Sequence, residues 1–448
     1  MAIRENKLTV FAHIASEWAP CGQLTLAEEG ERLEASSFAY GLNYLKRGDA
    51  LEVDPVSLSI SDRGAVSGQR LLPRNGLPYF GGIRDAAPDA WGRRVIEAKL
   101  KVPANSLAES QYLLHAGSER VGALDVRPNL QAEPMVGVNN WNTLPHLMEA
   151  AERIEQGLPV PAHLEAIFVE GSALGGARPK ASIRDEDSVL WLAKFSSRND
   201  AFDIPAIESA ALQLAAKAGL RVPPVRTMML GERRIMLIRR FDRYWQPLGD
   251  KLTNDTARFA HGAGGDRREH RSAFVSGLTL IGCDETESRT KSYADLADAI
   301  RQYCHPDVIR ANNAELFKRM VYNIFVNNDD DHLRNHGFLW DESLPGWRLS
   351  PLYDVLPRPT NAHERYLHLG IGEQGRAATL DNALTSHSRF SLSREAACAL
   401  IADVWQVVRE WRVYFDEFGV DAEAMERAAS ALRHIDDIST SELRRLLP

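Results

Sequence analysis

Cysteine is scarce in this chain. Cys21, Cys283, Cys304 and Cys398 are spread over 448 residues with no C-x-x-C pair. That spacing excludes a cysteine zinc site and a compact disulfide framework, and it fits a reducing cytoplasm. Long apolar runs are missing as well. No stretch approaches the roughly 18 apolar residues of a spanning helix, and Met1-Ala-Ile-Arg-Glu-Asn-Lys lacks the apolar segment of a signal peptide. The expectation is a chain that is neither exported nor membrane-embedded. Nor is there an excess of positive charge: 53 Lys and Arg stand against 61 Asp and Glu, a formal charge of −8. Attraction of the whole chain to nucleic acid or an anionic membrane is therefore disfavoured. No internal repeat is visible. What is present is ordinary globular usage, 44% hydrophobic and 25% charged, at a length that suggests two or three domains.

The organisation is α+β. Lys7-Leu-Thr-Val-Phe-Ala-His-Ile and Gly22-Gln-Leu-Thr-Leu-Ala alternate with the period of strands, and Pro/Gly turns recur through residues 71–83. A small mixed α/β domain is expected over residues 1–145, with a linker near Pro134 to Pro161 that includes Asn139-Asn-Trp-Asn-Thr. Residues 150–448 form the second region, divided into a sheet-and-helix part over about 150–245 and a mainly helical part over 246–448. Ile167-Phe-Val-Glu, Lys180-Ala-Ser-Ile and Val189-Leu-Trp-Leu-Ala-Lys194-Phe read as three strands around a Gly-rich turn. Asp203 to Gly219 carries a capping acid, an early Pro, apolar residues at helical spacing and a terminal Gly, and so predicts a helix. Arg234 to Arg243 reads as a further strand. Asn254 to Ser272, rich in Gly and charge, reads as a mobile loop whose basic cluster Arg267-Arg-Glu-His-Arg271 is solvated.

The chemistry concentrates in Asn327-Asn-Asp-Asp-Asp-His-Leu-Arg-Asn335-His-Gly-Phe, directly after the apolar stripe of a helix over Leu316 to Phe325. An acidic run is commonly a solvated cap, but here two strand-like pieces follow and end in a second acid, Asp354. Phosphoryl transfer needs one carboxylate to accept a hydroxyl proton, an Asn five residues on, and a separate Asp to hold magnesium. Asp330, Asn335 and Asp354 meet that spacing. Counted from Asp329, the run lacks the Gly and the final Glu of an EF-hand. Leu333 stands between His332 and His336 where a zinc protease needs Glu.

Gly171-Ser-Ala-Leu-Gly-Gly-Ala-Arg-Pro-Lys180 can lay backbone N–H groups on phosphates, although a Gly-rich hairpin turn is the commoner origin of such a stretch. Lys194 lies inside an apolar strand, where a lysine needs a partner or an exit to solvent. Glu208 on the following helix can supply that partner, as in the strand-Lys and helix-Glu pair of protein kinases.

Taken together these stretches resemble the HipA family of bacterial toxin serine/threonine kinases. The resemblance runs through Pro88-Asp-Ala-Trp-Gly-Arg, Arg120-Val-Gly-Ala-Leu, Gly175-Gly-Ala-Arg-Pro-Lys180, Ala193-Lys-Phe, Arg240-Phe-Asp-Arg243, Asn328-Asp-Asp-Asp-His-Leu-Arg-Asn335 and Ser350-Pro-Leu-Tyr-Asp354. It implies a kinase-like bilobal core with a mainly helical large lobe, using ATP and Mg2+. Asp330 would be the base, with His332 in the same catalytic element, and Asn335 and Asp354 would be on magnesium. Gly175, Gly176, Ala177, Lys180, Lys194 and Glu208 would serve the phosphates, and Arg240 and Phe241 would lie near the adenine. The resemblance further implies a cytoplasmic toxin that phosphorylates a protein, a helix-turn-helix antitoxin partner, contact with DNA only through that partner, and none with membrane. Family members phosphorylate a Ser in the Gly-rich loop; Ala173 stands at that position here, leaving the adjacent Ser172 as the candidate and Ser182 as its rival. Two other readings are a metal-dependent nuclease or phosphohydrolase using Asp329, Asp330, Asp331 and His332, and a catalytically silent module that binds a partner.

Overall fold

The computed structural model describes residues 2–137, 140–197, 200–249 and 254–448. Of the expected linker, Val138 and Asn139 lie outside the described residues. The chain packs as two compact units, 1–197 with 239–275 and 198–238 with 276–448. By packing, residues 150–197 belong with the amino-terminal segment and not with the acidic run.

The first unit is built on a four-stranded sheet in the order β3-β2-β1-β4, with β1 Arg4–Ile14, β2 Glu17–Glu29, β3 Arg32–Tyr40 and β4 Leu124–Arg127. The pairings β1–β2, β2–β3 and β1–β4 are all antiparallel. Alternation in sequence becomes burial on one face: Leu8, Leu24 and Phe38 stand in one cross-strand row, each nearly solvent-free. Each such side chain contributes about 1.5–3 kcal/mol on burial. Two further strands, β5 Lys180–Arg184 and β6 Leu190–Phe195, form an antiparallel hairpin.

Two sequence expectations change in this unit. Ile167–Glu170 is one turn of helix, closed by Gly171 N donating to Ile167 O at 2.8 Å. A four-residue apolar run has no period that separates a buried strand from a buried helical turn, and packing decided. The segment Asn254 to Ser272 is largely ordered structure. Asn254 caps a helix over Asp255–Phe259, and Arg267–Arg271 pairs antiparallel with Arg243–Pro247. The supposed solvated basic cluster is thus a strand, with Arg271 buried and Glu269 bonded to Arg184.

In the second unit the helix Ile204–Lys217 forms as its signals dictate. Asp203 accepts from Ala206 N, Pro205 sits in the first turn, and Gly219 takes a positive φ of 78° beyond the end. Tyr322 OH donates to Ala211 O at 2.6 Å, tying this helix to the long buried helix Pro306–Val326. That helix stacks Phe325 on Trp405 of helix Arg394–Val408. The antiparallel hairpin of Gly337–Asp341 and Gly346–Leu349 follows the acidic run. Among the described residues no helix is long and apolar enough to cross a membrane.

Candidate phosphate loop and catalytic turn

In the first unit the Gly-rich loop is held by the helix Ala90–Leu100 and the residues before it. Asp89 Oδ2 accepts from Gly176 N at 3.2 Å, Trp91 N donates to Gly176 O at 3.0 Å, and Trp91 Nε1 donates to Lys180 O at 2.8 Å. Gly92 is required by close approach, since a Cβ there would lie 2.7 Å from Ser172 O and 2.9 Å from Leu174 O. Pro88-Asp-Ala-Trp-Gly-Arg is therefore the cradle of the loop, a role invisible in the sequence because its partners lie more than 80 residues away. Only Gly175, Gly176 and Ala177 of the loop are exposed.

Lys180 and Lys194 occupy directly opposed positions in the β5–β6 ladder, and both are buried. Lys180 Nζ lies 2.6 Å from the position of a Gly176 Cβ, so the ammonium rests against the loop where φ is +74°. Two ammonium groups on one face call for negative charge beside them.

Ser172 is not on the exposed part of the loop. It is fully buried, its hydroxyl donates to Val169 O at 3.1 Å and accepts from Gly117 N at 3.0 Å. The adjacent Ala173 packs in a core cluster with Ile96, Tyr112 and Ala116. Against the expectation of a phosphate-accepting Ser172 stands this burial, which keeps its oxygen out of a kinase's reach in this conformation. Ser182 is equally buried.

Arg240 joins a buried ion cluster. Its guanidinium donates to Asp242 at 2.8 and 2.7 Å and to the carbonyls of Glu119 and Arg120 at 3.2 and 3.0 Å. Asp242 Oδ2 also accepts from Arg243 and from Gly122 N, both at 2.7 Å. Burial opposes ionisation of Asp242, but Arg240 and Arg243 hold its carboxyl well below the usual carboxylate range. Glu119, with burial again opposing, is held down at about 2 by Arg271, Arg243 and Arg184. Arg120-Val-Gly-Ala-Leu and Arg240-Phe-Asp-Arg243 are the two halves of this cluster. The charge of Arg240 is matched by Asp242, and Phe241 tilts against Phe274 at 6.4 Å.

The acidic turn lies in the second unit. The helix Pro306–Val326 stops at Asn327, which adopts φ 50° and exchanges bonds with Arg358: its Nδ2 donates to Arg358 O at 2.6 Å and its O accepts from Arg358 N at 3.2 Å. The three acids then diverge. Asp331 points inward, its Oδ2 accepting from Tyr293 OH at 2.6 Å and Asn323 Nδ2 at 2.7 Å, with His336 Nε2 at 3.0 Å. Burial pushes Asp331 up, but His336 and the hydrogen bonds hold it below the usual range. Asp330 points outward, half exposed, its Oδ2 2.7 Å from Arg358 Nη2, while Asp329 Oδ1 meets Arg358 Nε at 3.3 Å. Asn335 Nδ2 donates to Asp330 O at 3.1 Å, and its Oδ1 is the acceptor atom of the amide. Tyr353 OH donates to Arg334 O at 2.6 Å and places the neighbouring Asp354, exposed at φ +57°, on the segment that returns to the turn. His332 lies edge-on to His368 at 5.8 Å; burial, His332 and Arg289 push His368 down to about 4, so it is neutral at pH 7.

Among the described residues no three His, Cys, Asp or Glu side chains gather to hold a metal ion. The two residues expected on magnesium, Asn335 and Asp354, each offer side-chain oxygen, the donor type that this ion takes while keeping water and phosphates as its remaining ligands. Lys194 and Glu208, both buried, belong to the first and second unit respectively. Sequence reasoning missed Asp89, Trp91, Tyr293, Asn323 and Arg358. Pro88–Arg93 carried a resemblance without a role, and Arg358 carried no signal.

The chain is a mixed α/β protein that carries a glycine loop with opposed lysines in its first unit and an acid-and-asparagine turn in its second. The model of the HipA-like C-terminal domain matches residues 172–411, more than half of the chain, and the chain belongs to the HipA-like family. It is 27% identical over 348 residues to the Sinorhizobium fredii (strain NBRC 101917 / NGR234) protein named "Putative kinase Y4mE", covering 75% of this chain and 74% of that one. Its fold is similar to that of Shewanella oneidensis MR-1 HipA, solved as a toxin–antitoxin complex with HipB and operator DNA. The TM-score is 0.62 at 16% identity, with 98% of this chain and 96% of that chain covered.

Proposed function

We propose that this protein is an ATP- and Mg2+-dependent serine/threonine protein kinase, the cytoplasmic toxin of a toxin–antitoxin pair. The observation that carries the reading is the divergence of adjacent acids. Asp331 is spent inside the protein holding the turn, and Asp330 is presented outward with Asn335 bonded to its carbonyl. In this reading Asp330 accepts the proton of the substrate hydroxyl as the phosphoryl group leaves ATP. Lys180 and Lys194 bind the phosphates, and the N–H groups of Gly175 to Ala177 line them. Asn335 and Asp354 hold magnesium, which supplies charge neutralisation on the phosphates when bound. The structure of HipA with HipB and operator DNA supports a helix-turn-helix antitoxin as partner, with DNA reached only through it.

The nuclease reading loses its support, because Asp331 is turned away from Asp329 and Asp330 into a buried hydrogen-bond network. The test is incubation with labelled ATP, magnesium and a cell extract, beside Asp330→Asn. Wild type is expected to label a protein on Ser or Thr. The variant is expected to label none while binding MgATP with unchanged calorimetric affinity. Label transfer by the variant would remove Asp330 from the role of base; absence of ATP binding by wild type would leave the silent module.

A further inference from the structure

Arg358 is tied to the acidic turn by its main chain and its side chain alike. It lies on the segment that carries Asp354, where buried Val355 and Pro357 alternate with exposed Asp354 and Arg358. Arg358 N donates to Asn327 O at 3.2 Å, and Arg358 O accepts from Asn327 Nδ2 at 2.6 Å. On the same segment Leu356 N donates to Asn328 Oδ1 at 3.4 Å. The guanidinium then reaches the two acids that follow, Nη2 lying 2.7 Å from Asp330 Oδ2 and Nε 3.3 Å from Asp329 Oδ1.

An ion pair between two half-exposed side chains is worth little by itself, because ordering both costs about as much as their attraction supplies. Here the main chain at each end is already fixed. Asn327 holds Arg358, while Asp330 O accepts from His332 N at 2.8 Å and from Asn335 Nδ2 at 3.1 Å. What stays loose is the carboxylate of Asp330, and Arg358 is its side-chain partner among the described residues. The bond takes Oδ2. Among the described residues no hydrogen bond is made to Oδ1, whose lone pairs stay open to an incoming hydroxyl. A guanidinium fork also serves two adjacent carboxylates at once, which the single ammonium of a lysine does less well.

We propose that Arg358 is a positioning residue for phosphoryl transfer, acting through Asp330 and not on the nucleotide. It holds the carboxylate of Asp330 by Oδ2 so that Oδ1 faces the acceptor hydroxyl. As the acceptor oxygen bonds the γ-phosphorus and the bond to the ADP oxygen breaks, the hydroxyl proton passes to Oδ1. The inference rests on the reading of Asp330 as the base. Without Arg358 the carboxylate swings among rotamers, and a displacement of about 1 Å at a reacting group costs about 100-fold in rate.

The test measures initial rates of label transfer from ATP to the extract protein, against ATP concentration at saturating magnesium, for wild type, Asp330→Asn, Arg358→Ala and Arg358→Lys. Arg358→Ala is expected to lower kcat about 10- to 100-fold and to leave KM for ATP within about twofold. Guanidinium ion, added below the concentration that unfolds the variant, is expected to restore the rate of Arg358→Ala about threefold or more, a rescue that a merely structural role would not give. Arg358→Lys is expected to fall between wild type and Arg358→Ala, again with KM unchanged; should Arg358→Ala not fold, this variant carries the test. An unchanged kcat overturns the proposal, and a raised kcat overturns it in favour of a latch that Arg358 keeps on the base. A loss that appears in KM overturns it by placing Arg358 on the nucleotide. No transfer by wild type, or transfer by Asp330→Asn, overturns the reading of the base itself and this proposal with it.

Discussion

Lys180 and Lys194 stand opposite each other across the β5–β6 ladder, both nearly withdrawn from solvent, with Lys180 Nζ against Gly176. Buried like charges on one face are tolerated where anionic groups balance them. Lys194→Met is therefore expected to lower MgATP affinity at least tenfold, about 1.4 kcal/mol, and to remove phosphoryl transfer. Calorimetry checks the first and label transfer the second. Unchanged affinity would show that the opposed lysines balance protein acids alone.

Gly92→Ala reverses a common rule. In an exposed helix interior Ala is favoured over Gly by about 1 kcal/mol. Here the added Cβ would press on the carbonyls of Ser172 and Leu174. The expected outcome is a loss of about 1–3 kcal/mol, together with weaker MgATP binding as the loop shifts. Urea unfolding and calorimetry read the two effects; a variant more stable than wild type would show that the loop is not seated on this helix.

Asp331→Asn separates the inward acid from the outward one. Loss of charge opposite His336 and of acceptor capacity toward Tyr293 and Asn323 is expected to cost about 1–3 kcal/mol of stability. Asp330→Asn, half exposed, is expected to change stability by less than about 0.5 kcal/mol. Equal destabilisation by the two substitutions in urea unfolding would contradict the division of roles.

The first unit is expected to weaken in mild acid. Burial, then Arg271 and Arg243, push His13 down to about 3. The unfolded chain takes up a proton near pH 6.5, which the folded chain resists until about 3, so stability falls as pH drops through that interval. Glu119, at about 2 when folded, adds a further loss below about pH 4.5 as the unfolded carboxylate protonates first. His13→Gln should flatten the decline of the urea midpoint between about pH 7 and 4.5. A slope identical to wild type would place the acid sensitivity elsewhere.

Local signals alone determined β1, β2, the capped helix Ile204–Lys217, the buried stripe of Pro306–Val326 and the hairpin after the acidic run. Each of these depends on period 2, period 3.6 or a cap, all of which act over a few residues. Asp330 and Asn335, five residues apart, are within the reach of such local reading. Which acid faces outward is not, because Asp331 is drawn inward by Tyr293, 38 residues away, and Asp330 is met by Arg358, 28 residues away. The helical turn at Ile167–Glu170, the burial of Ser172, the cradle at Asp89 to Gly92 and the cluster joining Arg120 to Arg240 were likewise decided by tertiary packing. Desolvation makes an unpaired buried charge or hydroxyl costly. The fold therefore supplies each with a partner from wherever the chain returns, 120 residues away for Gly122 and Asp242. No periodicity in the sequence records that return.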